Sequence, residues 1–258
     1  MSDEVPARAA ASLILVRDVL VRDGPALQVL MGERPAAAKA FPGALVFPGG
    51  KVERQDADPA WAGLAGEDDE QLALRVAAIR ETFEETGVLL ARDRDGRLAG
   101  TGPELADAQA AVGAGELDFA DLLAQRGLTP DLAALVPFAR WITPLGQAYR
   151  FDTWFFIAAI AEPAVPRPAQ EFVSLDWIEV QAITEQARSG ARRLLFPTYA
   201  NLGLLAESPT AQGAVAAARA RVIRPVMPEP QQRGGRTVMT IRADAGFTVD
   251  QDPLTEAR

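Results

Sequence analysis

Residues 71–90 read QLALRVAAIRETFEETGVLL, and no other stretch restricts the fold as much. Leu72, Val76, Ile79 and Phe83 recur at spacings of four, three and four, one apolar stripe along an α-helix. Gly87 stands where a helix stop is common. At about 100° per residue, Glu81, Glu84 and Glu85 fall within an arc of roughly 100° on the side away from the stripe. The spacing therefore predicts a helix that buries one flank and turns three carboxylates outward together. Like charges three and four residues apart repel, and acids near a helix C-terminus oppose its dipole. A divalent cation would remove both penalties; without one, such a run is an ordinary solvated face.

Two absences narrow the chemistry. The chain has no cysteine and no histidine. That excludes disulfides, thiolate nucleophiles, cysteine zinc sites, Ser-His-Asp triads and imidazole-bound metals. Metal chemistry would have to use oxygen ligands, which suit Mg²⁺, Mn²⁺ or Ca²⁺. Lysine occurs only as Lys39 and Lys51, so arginines and carboxylates are the available tools. The balance of 26 basic against 35 acidic residues, net −9, argues against a nucleic-acid binder or a protein held on anionic lipid. No apolar run approaches the roughly 18 residues that span a bilayer. The opening MSDEVPARAA lacks the order of a secretory signal, and the closing LTEAR matches no common retention address, so the cytoplasm is the expected compartment.

Along the chain, Ser12–Val21 and Leu27–Met31 read as a hairpin around Asp23-Gly24-Pro25, followed by a short strand at Ala44–Phe47. Residues 54–69 look like a polar insertion. Residues 91–130 carry one readable helix, Phe119–Arg126. Leu135–Thr143 and Tyr149–Ile160 are strand candidates. In the second, Phe151, Thr153, Phe155 and Ile157 face one side and Asp152, Trp154 and Phe156 the other, both partly covered. A strand near Phe172–Val180, a helix near Ala182–Ser189, one or two alanine-rich helices after Phe196 and a strand at Arg236–Arg242 complete the order. No fixed-period repeat is visible. The expected class is α+β.

Upstream of the acidic helix lies FPGGKVE, residues 47–53, an apolar strand running into a diglycine turn. Such a turn lets backbone groups approach a metal or phosphate closely. Together these residues resemble the Nudix hydrolase family. The family's box runs glycine, five residues, glutamate, seven residues, Arg-Glu, an apolar position, any residue, Glu-Glu, any residue, glycine and an apolar position. Here Arg80, Glu81, Glu84, Glu85, Gly87 and Val88 match its second half, with Thr82 at the first apolar position. The first half starts at Gly50 and has Asp56 where the family has glutamate. Twenty-three residues then separate Asp56 from Arg80 instead of seven, an insertion of sixteen. Asp56, Glu67 and Glu70 are the acids open to pairing with Arg80. A lengthened box with FPGG and RETFEETGVLL is similar to the branch of peroxisomal coenzyme A diphosphatases. Leu30, Arg34, Lys39 and Gly43, then ARWITP, YRFDTWFF, FPTYANLGLLAE and RTVMTIRADAGF, extend that likeness over about residues 12–250.

The resemblance implies a Nudix fold, a mixed β-sheet sandwiched between helices with a C-terminal helical extension. It places the Nudix domain at 10–190, with insertions near 54–70 and 91–130, and the extension at 191–258, packed on the same domain. It implies metal-dependent hydrolysis of a diphosphate in a nucleoside diphosphate derivative, coenzyme A or an acyl-coenzyme A foremost. Glu84 and Glu85 would be the principal ligands of Mg²⁺ or Mn²⁺, Glu81 a further ligand or base, and the Gly50 carbonyl would complete the shell. Arg80 would orient the glutamates. Glu171 is the candidate base outside the box, against the reading of an exposed loop acid. Arg34, Lys39 and Arg150 are candidates for the remaining substrate phosphates, and Asp152 reads as structural. The expected partner is a small nucleoside diphosphate compound, with no nucleic acid and no membrane. Dimerisation is common in the family, although no interface is legible here. Two other readings compete: a Nudix-fold nucleotide-binding or sensor module without catalysis, and an acidic helix with no metal site.

Overall fold

Strand β1 (Arg8–Val21) is the spine of the molecule, because its two halves serve different neighbours along one edge. The computed structural model describes residues 5–21, 24–61, 70–161 and 164–254. The later half of β1 pairs antiparallel with β2 (Gly24–Glu33), Val16 opposite Val29. Beyond β2 come β3 (Leu45–Val46), on that strand's far part, and β4 (Gly49–Lys51), which returns to the first half of β1 with Ala11 opposite Gly50. Two one-turn 3₁₀ segments, Arg54–Ala57 and Pro59–Trp61, follow. The box helix α1 (Leu72–Thr86) comes next and is closed by Gly87, whose φ of 69° is a left-handed cap and whose N–H donates to the Phe83 carbonyl at 2.8 Å.

The region 91–130 holds more structure than its sequence announces. β5 (Leu89–Arg92), β6 (Leu98–Gly100), α2 (Ala106–Gly113), α3 (Phe119–Arg126) and β7 (Thr129–Pro130) form a small three-stranded sheet with two helices. α3 keeps the expected bounds; α2 is alanine-rich and has no distinct apolar stripe, so periodicity could not find it. The chain then builds β8 (Val136–Ile142), β9 (Phe151–Ala159), β10 (Ser174–Glu179), α4 (Val180–Arg188), α5 (Phe196–Leu205), α6 (Ala211–Ala220) and β11 (Pro225–Val226). A hairpin, β12 (Glu229–Arg233) and β13 (Arg236–Thr240), follows, then a 3₁₀ turn at Ala243–Ala245.

The main sheet runs β10-β2-β1-β9-β8-β11. β9 lies parallel to β1, Ala11 beside Trp154, so the sheet is mixed. Alternation along β1 and β9 divides the core in two. Ile14, Val16, Phe155 and Ile157 face the layer built by α4, α5 and α6. Leu13, Leu15, Phe156 and Ala158 face α1, α2 and α3. Both faces are thereby covered, as the two-sided pattern of β9 anticipates. Among the described residues no helix is long and apolar enough to cross a membrane.

Candidate active site

Two glycines let β4 pass between β1 and α1. Gly49 has φ 153°, and a Cβ on it would overlap the Ala11 carbonyl and lie 2.6 Å from the Ser12 Cα. A Cβ on Gly50 would overlap the carboxylate of Glu81. With neither Cβ present, the turn docks directly on the acidic flank of the helix. The Gly49 N–H donates to Glu85 Oε2 at 2.8 Å across 36 residues of sequence.

Arg80 organises the remaining acids. Its Nε and Nη2 donate to the two oxygens of Asp56 at 2.8 and 2.9 Å, a bidentate pair. Its Nη1 reaches Glu84 at 2.9 Å and Glu81 at 3.1 Å, and Nη2 also donates to the Lys51 carbonyl at 3.1 Å. Arg80 is 1% exposed and Asp56 0%. Asp56 is therefore the acid that pairs with Arg80, and the long insertion leaves the count from Gly50 intact. Of the alternatives, Glu70 lies exposed ahead of the helix and Glu67 lies outside the described residues. Asp56 Oδ2 also accepts the Glu53 N–H at 2.7 Å, which fixes the 3₁₀ turn that carries it. Trp61 anchors the start of the insertion: it is buried, its Nε1 donates to the Gln55 carbonyl at 2.7 Å, and it packs against Phe119. The segment that reads as a polar loop thus contributes to the core at Trp61.

The helix differs from its expected form in one respect. The acidic flank is not wet, because β4 and the 3₁₀ turn cover it. Glu85 is 6% exposed, and the side chains of Glu81 and Glu84 are 14% and 18% exposed. Burial drives the Glu81 carboxyl up to about 7, against the pull of Arg80 and with the charge of Glu84 adding to the rise. Glu84 is raised for the same leading reason. Glu85 is raised well above the carboxylate range, burial outweighing the Gly49 hydrogen bond, with the charges of Glu81 and Glu171 adding and Arg34 opposing. Thr82, the departure at an apolar box position, is buried without penalty because its hydroxyl donates to the Ala78 carbonyl at 2.7 Å.

The last turn of α1 is held by a distant segment. The Arg167 N–H donates to the Thr86 carbonyl at 2.7 Å, and the Ala169 N–H to the Glu85 carbonyl at 3.1 Å. Gln109 of α2 is buried, and its Nε2 bridges the Glu84 and Arg167 carbonyls at 3.0 and 3.1 Å. This clamp sets where Glu171, two residues beyond Ala169 and exposed, stands relative to Glu85. Gln109 carries no motif, and only its burial between two segments reveals it. Gln109→Ala strands two partly buried carbonyls and should cost about 1–3 kcal/mol of stability. Urea unfolding reads that loss; an unchanged midpoint would show that water replaces the amide.

Of the basic candidates, Arg34 is placed to act on the charge of Glu85, while its Nε closes its own loop on the Ala40 carbonyl at 3.0 Å. Lys39 is exposed on that same loop. Arg150, the third basic candidate, lies at the β8–β9 connection. Its guanidinium is committed to backbone carbonyls, Thr143 at 3.1 Å, Pro144 at 3.2 Å and Val5 at 2.8 Å, so it staples the β8–β9 connection to the chain ahead of β1. Asp152 is structural, in a two-bond pair with Arg140 at 2.8 and 2.6 Å across β8 and β9.

The NUDT19 Nudix domain family matches residues 67–203, a little over half the chain. A crystal structure of a NUDIX hydrolase from Alicyclobacillus acidocaldarius is 32% identical, covers 82% of this chain and 96% of its own, and superposes with a TM-score of 0.72. The acyl-coenzyme A diphosphatase NUDT19 of Homo sapiens is 30% identical over 205 residues, 61% of this chain and 55% of the human protein. Its Gallus gallus counterpart is 28% identical, over 76% of this chain and 67% of that protein. The chain thus spans about half the length of the human relative. With the family match, the shared fold and the box residues packed against the diglycine turn, the chain belongs to the Nudix hydrolase family, in its NUDT19-type branch, and is an enzyme of that family's diphosphatase class.

Proposed function

We propose that the protein hydrolyses the diphosphate of coenzyme A or an acyl-coenzyme A with Mg²⁺ or Mn²⁺ as the resident cation. The observation that carries this reading is the docking of the diglycine turn on the box glutamates, with Gly50 against Glu81 and Gly49 hydrogen-bonded to Glu85. The substrate class comes from the likeness to proteins named acyl-coenzyme A diphosphatases. Residues 10–190 are read as the catalytic unit and 191–258 as an extension on the same body.

The donor set suits a hard cation. Glu81, Glu84 and Glu85 offer only oxygen, and among the described residues Arg80 is the one cation bonded to them, already shared with Asp56. Among the described residues no three carboxylates stand together as a preformed ligand set. Glu81 and Glu84 lean on Arg80, and Glu85 leans on Gly49. Their negative charge is under-compensated and partly dry, which a cation would correct. Glu84 and Glu85 are assigned as principal ligands, with Glu81 and the Gly50 carbonyl beside them. A divalent ion there would neutralise diphosphate oxygens and acidify water.

The chain's own residues do the positioning. Arg80 fixes the rotamers of Glu81 and Glu84 through charge-assisted bonds. The Gly49 N–H fixes Glu85. Glu171 is exposed and near enough to act on Glu85's charge, where it could take a proton from attacking water. Arg34, Lys39 and Arg150 are the candidates for phosphates beyond those at the glutamates, and the bonds of Arg150 to three backbone carbonyls weigh toward the first two.

A mass-spectrometric screen of coenzyme A, acyl-coenzyme A, nucleotide sugars, ADP-ribose and dinucleoside polyphosphates with Mg²⁺ or Mn²⁺ tests the reading. The expected products are 3′,5′-adenosine diphosphate and the matching phosphopantetheine. Preferential cleavage of another compound would overturn the substrate class, and no cleavage at all would overturn catalysis.

A further inference from the structure

The last strand of the main sheet covers its neighbour only in part. β11 pairs with β8 at Arg140 and Trp141, and the start of β8 has no strand on that side among the described residues. A cavity of about 580 Å³ lies there, bounded by the beginning of β8, the end of α6 and the first turn of α1. That size is ordinary for a small-molecule site. Its apolar wall is Leu135, Val136, Pro137, Trp154 and Ile223. Three arginines also line it, Arg75, Arg219 and Arg221, and no carboxylate stands among the described lining residues. In a chain of net charge −9, a hollow ringed by cations without an acid is a local reversal of sign.

Arg221 shows what the hollow lacks. Its guanidinium lies over the Phe138 ring, 5.2 Å from the centroid, and its Nη1 is buried with no hydrogen-bond partner. Burial weakens its hold on the proton, and the charge of Glu207 only partly opposes this. A buried donor on a charged group is costly until an acceptor meets it. Helix ends attract arginines in any case, but the last carbonyls of α6 leave this nitrogen unmet. Arg219, exposed on the last turn of α6, and Arg75, whose Nη1 donates to the Leu132 carbonyl at 3.3 Å, bring two further forks to the same hollow. Guanidinium forks match the oxygens of carboxylates and phosphates, and the aliphatic wall beside them suits a hydrocarbon body. We infer that this cavity is a second ligand site for an oxyanion carried on an aliphatic chain, an alkyl carboxylate or alkyl phosphate. Arg221 and Arg219 take its head and the start of β8 its chain. The site is separate from the box glutamates, because Arg75 and Glu84 lie about two and a half helical turns apart and so on opposite flanks of α1.

Binding, not turnover, tests this, so its outcome is separate from that of the hydrolysis screen. Calorimetry with Mg²⁺ present titrates octanoate, octyl phosphate, 1-octanol and acetate into the wild type. Octanoate or octyl phosphate is expected to saturate one site at least tenfold more tightly than 1-octanol, which lacks the charge, or acetate, which lacks the chain. The tighter of the two identifies the head group. Arg221→Gln is expected to weaken that ligand about tenfold. Arg219→Gln is an exposed change that leaves the fold intact, so its expected several-fold loss stands even if Arg221→Gln loosens the end of α6. Glu81→Gln/Glu84→Gln/Glu85→Gln is expected to bind the ligand like the wild type. Absence of saturable binding by both anions, or 1-octanol binding as tightly as they do, would overturn the inference. So would wild-type affinity in both arginine variants, or loss of binding in the glutamate variant, which would put the ligand at the box.

Discussion

Arg80→Met should cost the fold about 3–5 kcal/mol, the usual result of removing one partner of a buried ion pair. Arg80 and Asp56 are both essentially inaccessible to water. Burial alone would lower the affinity of the guanidinium for its proton; the Asp56 hydrogen bonds and the charges of Glu81, Asp56 and Glu84 more than offset this and hold it firmly charged. Without it, Asp56 keeps a dry carboxylate with only the Glu53 N–H, and Glu81 and Glu84 lose their common cation. In a chain of this size the loss corresponds to a fall in melting temperature of roughly 10 °C. Adding Asp56→Asn should recover a large part of it, because the stranded charge goes too. If the double variant is no more stable than Arg80→Met, the cost lies in packing and not in the orphaned carboxylate. Arg80→Lys should fall between, since a point charge cannot reproduce the fork that meets Asp56 with two bonds.

Glu84→Gln and Glu85→Gln should each lower kcat/KM on the order of 10³-fold, about 4 kcal/mol of transition-state stabilisation. The amide keeps the shape and, at position 85, an oxygen for the Gly49 N–H. What it removes is the charge that would hold a cation. Stability should move the other way. A carboxyl raised in the folded state adds stability below its unfolded value and loses it as pH climbs through the folded one. Metal-free protein should therefore weaken as pH rises from the ordinary glutamate range through about 7, the level to which burial lifts Glu81. Glu85→Gln removes the most strongly raised of these carboxyls, so metal-free melting at neutral pH should hold or rise while turnover collapses. Melting curves beside steady-state kinetics read both. Full activity in either variant would remove that residue from the site.

Much of this was legible in residue spacing, and the remainder was not for identifiable reasons. The helix over Leu72–Thr86 and its glycine stop follow from periodicity, a local property. Asp56 kept its count from Gly50 because the insertion comes after the 3₁₀ turn, so the pair with Arg80 survives a sequence separation of 24. The dryness of the acidic flank was not legible, since the cover over Glu85 comes from Gly49, 36 residues away. Nor was Gln109, whose role depends on Glu84 and Arg167 being brought together from 25 and 58 residues off. The backbone bonds of Arg150 were hidden for a related reason. An arginine beside a strand looks free in sequence, and its carbonyl partners at Thr143, Pro144 and Val5 become visible only once the β8–β9 connection closes.

The chemistry proposed for this protein requires the glutamates of α1 to bind a divalent cation at the diglycine turn. Equilibrium dialysis against Mn²⁺, comparing the wild type with Glu81→Gln/Glu84→Gln/Glu85→Gln, measures this without reference to any substrate. The prediction is saturable uptake by the wild type that weakens at least tenfold in a triple variant with an intact fold. Equal uptake by the two proteins, or none by the wild type, would contradict it.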